Sequence, residues 1–216
     1  MSPNVASAQS EHRSHFTRRL EAFSDIVFGF SLAQLGLQLQ VPANPADLLG
    51  HPVRWLIFFG TFGIICAFWL AHFRMFRLAF EPQPFDVLLN FLFLAFVAVL
   101  PFAMQTNIRF EGDNRAYALY AGAFAGISLP MLLLLARGLA RRNPHLTGTE
   151  RLQLWRAVIR NALVFGASLS ALVLLYFNPV WASIPFPALG IGTMLVRRFV
   201  RTVPARFEPS TPPLGA

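Results

Sequence analysis

The chain has 216 residues, 55% of them hydrophobic and 13% charged, and 23 are Phe. Its formal net charge is +8, and every basic residue is Arg. This balance is too apolar for an ordinary soluble domain, and the charges gather in clusters between long uncharged stretches.

Those stretches, free of Asp, Glu and Arg, run 26–46, 55–73, 87–108, 116–136 and 161–196. A spanning helix needs roughly 20 apolar residues to cross about 30 Å of hydrocarbon. The first four stretches fit one crossing each. The fifth would be about 54 Å long as a helix, too long for one crossing. It also contains "NPVWASIPFP" (178–187), whose prolines break a helix and make a turn. The expected fold class is therefore an all-α membrane protein with six transmembrane helices, at about 17–40, 53–79, 84–105, 116–138, 152–177 and 181–200. Residues 1–16 and the Pro-rich tail 202–216 are expected to be disordered, flanking one membrane domain at 17–201. The first apolar run lacks a cleavage site of signal-peptide type and is expected to be retained.

The connections are short, so consecutive helices are expected to be antiparallel neighbours, and "EPQPFD" (81–86) is expected to make the second and third a hairpin. With six spans, one side of the membrane collects only Arg54, Arg109 and Arg115, and the other collects the remaining fifteen arginines. That bias places both termini in the cytoplasm of a multi-pass cell-membrane protein. Arginine spread along a membrane edge points to topology and contact with anionic lipid, not to nucleic acid. Cys66 is the single cysteine, so no intrachain disulfide forms.

The first helix carries "RLEAFSDIVFGF" (19–30). Asp25 lies roughly 12 Å from the cytoplasmic end of that helix, His72 roughly 10 Å from the end of the second, and Asn90 some 9 Å into the third. Polar groups in hydrocarbon face the bundle and find each other. Ser24, Asp25, His72 and Asn90 are expected to form one buried hydrogen-bonded cluster, with Trp69 packing one turn deeper. Arg18 is a candidate counter-ion for Asp25, and Arg19 lies on a different face. The cluster reads as structural glue or as a proton relay; glue is favoured on physical grounds.

At these residues the chain resembles the endolysosomal transmembrane potassium channels and their bacterial homologues. Their signature R-x-x-x-F-S-D is matched by Arg19, Phe23, Ser24 and Asp25. "FWLAHFRMF" (68–76) is similar to the family's W-x-x-H segment, and "LNFLFLAFVAVLPF" (89–102) to its third helix. The resemblance covers residues 18 to 105. It implies a potassium-permeable cation channel, a homotetramer in which the first helix of each subunit lines a central pore. In that family the F-S-D cluster ties the first helix to its neighbours, which agrees with glue. Apolar side chains further along the first helix gate and filter the pore, and the positions carried over are Phe30, Gln34 and Leu37. Spacings of four and three put these on one helix face, with Phe28, Leu32, Leu35 and Leu39 opposite. Phe30 is bulkier than the family's usual Ile or Leu, Gln34 is polar where the family is apolar, and Ala33 stands where a Thr helps selectivity. The resemblance implies potassium as the permeant ion and no cofactor.

Catalysis is not expected. Ser24 and Asp25 are adjacent on a helix and point about 100° apart. His51 belongs to the opposite side from His72, and no nucleophile elbow or His-Glu-x-x-His is present. His72 with Asp25 offers too few ligands for a metal. The alternatives within the same fold are a proton-conducting or non-conducting membrane protein, or a small-solute transporter. Pro101 and Pro130 are expected to be structural kinks, and "GAFAG" (122–126) a packing seam.

Overall fold

The computed structural model describes residues 3–37, 39, 44, 52–110, 112–142, 146–182 and 184–186. Five long helices, α1 (Pro3–Leu37), α2 (Pro52–Leu78), α3 (Pro84–Arg109), α4 (Asn114–Arg142) and α5 (Gly148–Phe177), are followed by a short α6 (Pro179–Ala182). All five long helices are long and apolar enough to cross a membrane. The expected sixth span, 181–200, begins in α6 and otherwise lies almost wholly outside the described residues, as do His51 and the tail 202–216. Helix α1 starts at Pro3, so it extends through most of the segment expected to be disordered.

Local chemistry sets the helix ends. Gln83 is the extended N-cap of α3, and Pro84 follows it, where a missing N–H costs nothing. Gly112, at φ +84°, makes the turn before α4. Asp113 then accepts from the backbone N–H groups of Arg115 (2.7 Å) and Ala116 (3.3 Å). Helix α5 opens on a capping box, in which the Thr147 side chain accepts from Glu150 N–H and the Glu150 carboxylate accepts from Thr147 N–H. Pro101 and Pro130 sit inside α3 and α4, which continue past them.

Helices α3 and α4 form the inner pair, α5 lies outside α4, and α1 packs on both α3 and α2. The expectation that α2 and α3 would be close neighbours needs correction: α3 runs beside α1 and α4 far more than beside α2. The tight connection 79–83 is present, but α1 takes the place along α3. The core joins Phe28 and Leu35 of α1, Ile65 and Met75 of α2, Phe93, Val97 and Leu100 of α3, and Ile127 and Met131 of α4.

Two glycines allow close helix approach. A Cβ at Gly138 would lie 2.4 Å from the Ala79 Cβ and 2.6 Å from its carbonyl oxygen. At Gly126 it would fall 2.3 Å from the Phe96 ring, whereas Gly122 has open space. The "GAFAG" seam is therefore one glycine wide, against α3.

Candidate functional site

Helix α1 has two sharply different faces. At about 100° per residue, Leu20, Ser24, Phe28, Ser31 and Leu35 fall in one arc of about 80°, and all five are buried. Phe23, Ile26, Phe30, Gln34 and Leu37 fall in another such arc, and all five are exposed. Phe30 keeps 73% and Leu37 86% of its surface accessible, against 2% for Phe28 and for Leu35. Of the four residues expected opposite Phe30, Gln34 and Leu37, Phe28 and Leu35 are buried, and Leu32 and Leu39 are half-buried. Among the described residues nothing pairs with the Gln34 amide.

The polar residues at the other end of the α1 core divide into two groups. In the buried group, Asn90 Oδ1 lies 2.8 Å from His72 Nε2 and Asn90 Nδ2 donates to Ser24 Oγ at 3.4 Å. Ser24 in turn donates to the Leu20 carbonyl at 2.8 Å. With the amide oxygen facing the ring, Nε2 carries the proton and donates. The imidazole stacks on Phe93 (5.2 Å between centroids, 9° between planes) and also contacts Phe28 and Phe76. Three helices are fixed against each other by one short chain of hydrogen bonds.

Asp25 is not part of that chain. Its side chain is exposed, and its Oδ1 accepts the indole N–H of Trp69 at 2.8 Å. Trp69 is therefore a hydrogen-bond partner and not merely packing. Arg18 and Arg19 are both exposed, and among the described residues neither pairs with Asp25. The expected single cluster is two, and the expected counter-ion is replaced by an indole. The cause is helical geometry: Ser24 and Asp25 point about 100° apart, so only one of them can face the core.

A third polar group went unread in the sequence. Asp86, in the first turn of α3, is buried, and its carboxylate accepts from Arg137 Nε at 2.6 Å and from Arg141 Nη1. Glu81 lies 3.9 Å from Arg141, and the Arg137 guanidinium sits 4.8 Å from the Phe85 ring centroid. Counting arginines for topology hid this pair. The signal was available: two arginines at i, i+4 on α4 and an acid at the start of α3.

Among the described residues no three His, Cys, Asp or Glu side chains converge as metal ligands. Residues 19–101, which carry both α1 faces and the Ser24, His72 and Asn90 chain, match the model of the family described as the endosomal/lysosomal potassium channel TMEM175. Over that stretch the chain is similar to the TMEM175 family.

A potassium channel of Chamaesiphon minutus is 31% identical over 124 residues, 52% of this chain and 61% of that protein, so the match spans less than two thirds of the relative. Two solved structures share the fold. One is a variant of the potassium channel MtTMEM175 in complex with a nanobody fusion, with TM-score 0.65, 18% identity, and coverage of 85% of this chain and 93% of that one. The other is a lysosomal potassium-selective channel TMEM175 homologue from Chamaesiphon minutus, with TM-score 0.64, 24% identity, and coverage of 84% and 97%. The TMEM175 match covers Arg19, Phe23, Ser24, Asp25, Trp69, His72 and Asn90.

Proposed function

We propose that this chain is a potassium-permeable cation channel of the cell membrane. It is a homotetramer in which the exposed face of α1 lines a central pore, and both termini are cytoplasmic. The carrying observation is that face. Large apolar side chains, Phe30 and Leu37 foremost, stand free on a helix whose other side is fixed by Phe28, Leu35 and the Ser24–Asn90–His72 chain. The TMEM175 match over residues 19–101 and the naming of its relatives as potassium channels support the same reading.

The mechanism follows from solvation. Four Phe30 rings around one axis exclude water, so an ion passing them sheds part of its hydration shell. Potassium, the more weakly hydrated ion, does so at lower cost than sodium, and narrowing of the ring dewets and closes the pore. Ser24, His72, Asn90, Asp25 and Trp69 hold the pore helix in register, and Arg19 faces the cytoplasmic lipid edge. A proton relay through His72 gains no support from its surroundings, since three aromatic rings enclose the imidazole and its bonded partner is an amide.

The test is cation efflux from liposomes holding the purified protein, with potassium-loaded and sodium-loaded vesicles in parallel. Potassium efflux well above sodium efflux is the expected result. No flux of either ion from a verified tetramer overturns the reading.

A further inference from the structure

Along the exposed arc of α1, from Phe23 to Leu37, four side chains are apolar and one is an amide. Gln34 lies about 6 Å along the helix axis from Phe30 and about 4.5 Å from Leu37. It is exposed, and among the described residues none forms a hydrogen bond with its amide. An amide left facing hydrocarbon loses its hydrogen bonds to water at a cost of a few kcal/mol, so such a side chain turns to water or to another polar group. The nearby polar groups of α1 are engaged elsewhere: Ser31 and Ser24, on the buried face, donate to the Val27 and Leu20 carbonyls, and Asp25, more than two turns away, accepts from Trp69.

We infer that Gln34 is the cation contact of the pore: four amide carbonyl oxygens, one per subunit, form a ring that takes up the ion as it leaves the Phe30 constriction. This rests on the channel reading and adds a chemical task for one residue. An uncharged oxygen ring suits a monovalent cation, because it replaces lost waters without binding so tightly that the ion stays. The Phe30 ring alone supplies no ligand, so an ion crossing it unaided pays the whole dehydration cost. The amide ring one turn away shortens that unsolvated path.

The experiment uses the full chain in liposomes, comparing wild type with Gln34→Leu and Gln34→Glu. Potassium efflux is measured with and without external Ba2+, and each variant is checked for tetramer by size-exclusion chromatography. Gln34→Leu keeps the volume but removes the oxygens, and potassium efflux is expected to fall at least fivefold. Gln34→Glu makes the ring anionic and a divalent-cation site, so half-block by Ba2+ is expected at a concentration at least tenfold lower. A merely structural role for Gln34 does not create barium sensitivity, and the Glu arm remains decisive if the Leu variant fails to assemble. Unchanged potassium efflux in Gln34→Leu, or unchanged barium sensitivity in Gln34→Glu, overturns the inference while the wild type still conducts. A wild type that passes no ion overturns the channel reading itself, and the inference with it.

Discussion

The indole N–H of Trp69 donates to the Asp25 carboxylate at 2.8 Å, joining α1 to α2 on the side of α1 that the core does not cover. A hydrogen bond to a charged acceptor is worth about 1.5–3 kcal/mol, less where water competes. Trp69→Phe is expected to lower thermal stability by about 1 kcal/mol, near the exposed end of that range. Asp25→Asn, which retains an acceptor oxygen, is expected to lose less. Melting of the purified protein in detergent measures both, and equal losses would contradict the charge-assisted bond.

The Ser24, Asn90 and His72 chain predicts a different pattern. Asn90→Leu leaves the His72 N–H buried with no acceptor, at a cost of about 1–3 kcal/mol. His72→Phe preserves the stack on Phe93 and removes the donor. The double variant Asn90→Leu with His72→Phe is therefore expected to be more stable than Asn90→Leu alone. A thermal-melt cycle over the four proteins checks this.

Asp86 pairs with two guanidiniums while almost wholly buried. Removing one partner of a buried ion pair costs about 3–5 kcal/mol, and less here because Arg137 and Arg141 are partly exposed. Asp86→Ala is expected to be the most destabilising single change among the polar residues, seen as loss of folded yield and a lower Tm. Asp86→Glu is expected to recover part of it.

Gly138 and Gly122 provide a steric contrast. Gly138→Ala drives a methyl against the Ala79 backbone and is expected to cost about 1–3 kcal/mol. Gly122→Ala enters open space and is expected to be neutral or slightly stabilising, because helical glycine is itself unfavourable by about 1 kcal/mol. Comparison of the two melting temperatures tests the packing of the 79–83 connection on α4.

Phe30→Ala is expected to raise potassium flux several-fold and to lower the potassium-to-sodium ratio, because the ring that excludes water is removed. Unchanged flux in liposomes would remove Phe30 from the pore.

The five helices were legible because uncharged runs of membrane length leave little choice of structure. The meeting of Ser24, His72 and Asn90 followed from depth alone, once alternate helices were taken to run in opposite directions. Asp25 was misplaced by treating depth without helical angle: the 100° between neighbours that excluded a Ser24–Asp25 catalytic pair also keeps Asp25 out of the core. Asp86 was missed because arginine near a membrane edge has two uses, topology and pairing, and composition registers only the first. That α1 rather than α2 takes most of the flank of α3 was not legible either. It depends on how side chains of α1 fill the groove, with Phe28 against Phe93, and no pattern within one helix encodes that.

The placing of α1 along α3 has a consequence for synthesis on the ribosome. The first two helices leave the exit tunnel before Asn90 does, so until it emerges His72 has no acceptor from α3. An α1–α2 pair released alone into the bilayer would therefore hold its buried imidazole against lipid. The earliest assembly intermediate with every one of these side chains satisfied is a three-helix one. Insertion factors that shelter polar membrane segments should cross-link to α1 and α2 until the α3 segment has emerged from the ribosome, and release them once Asn90 arrives.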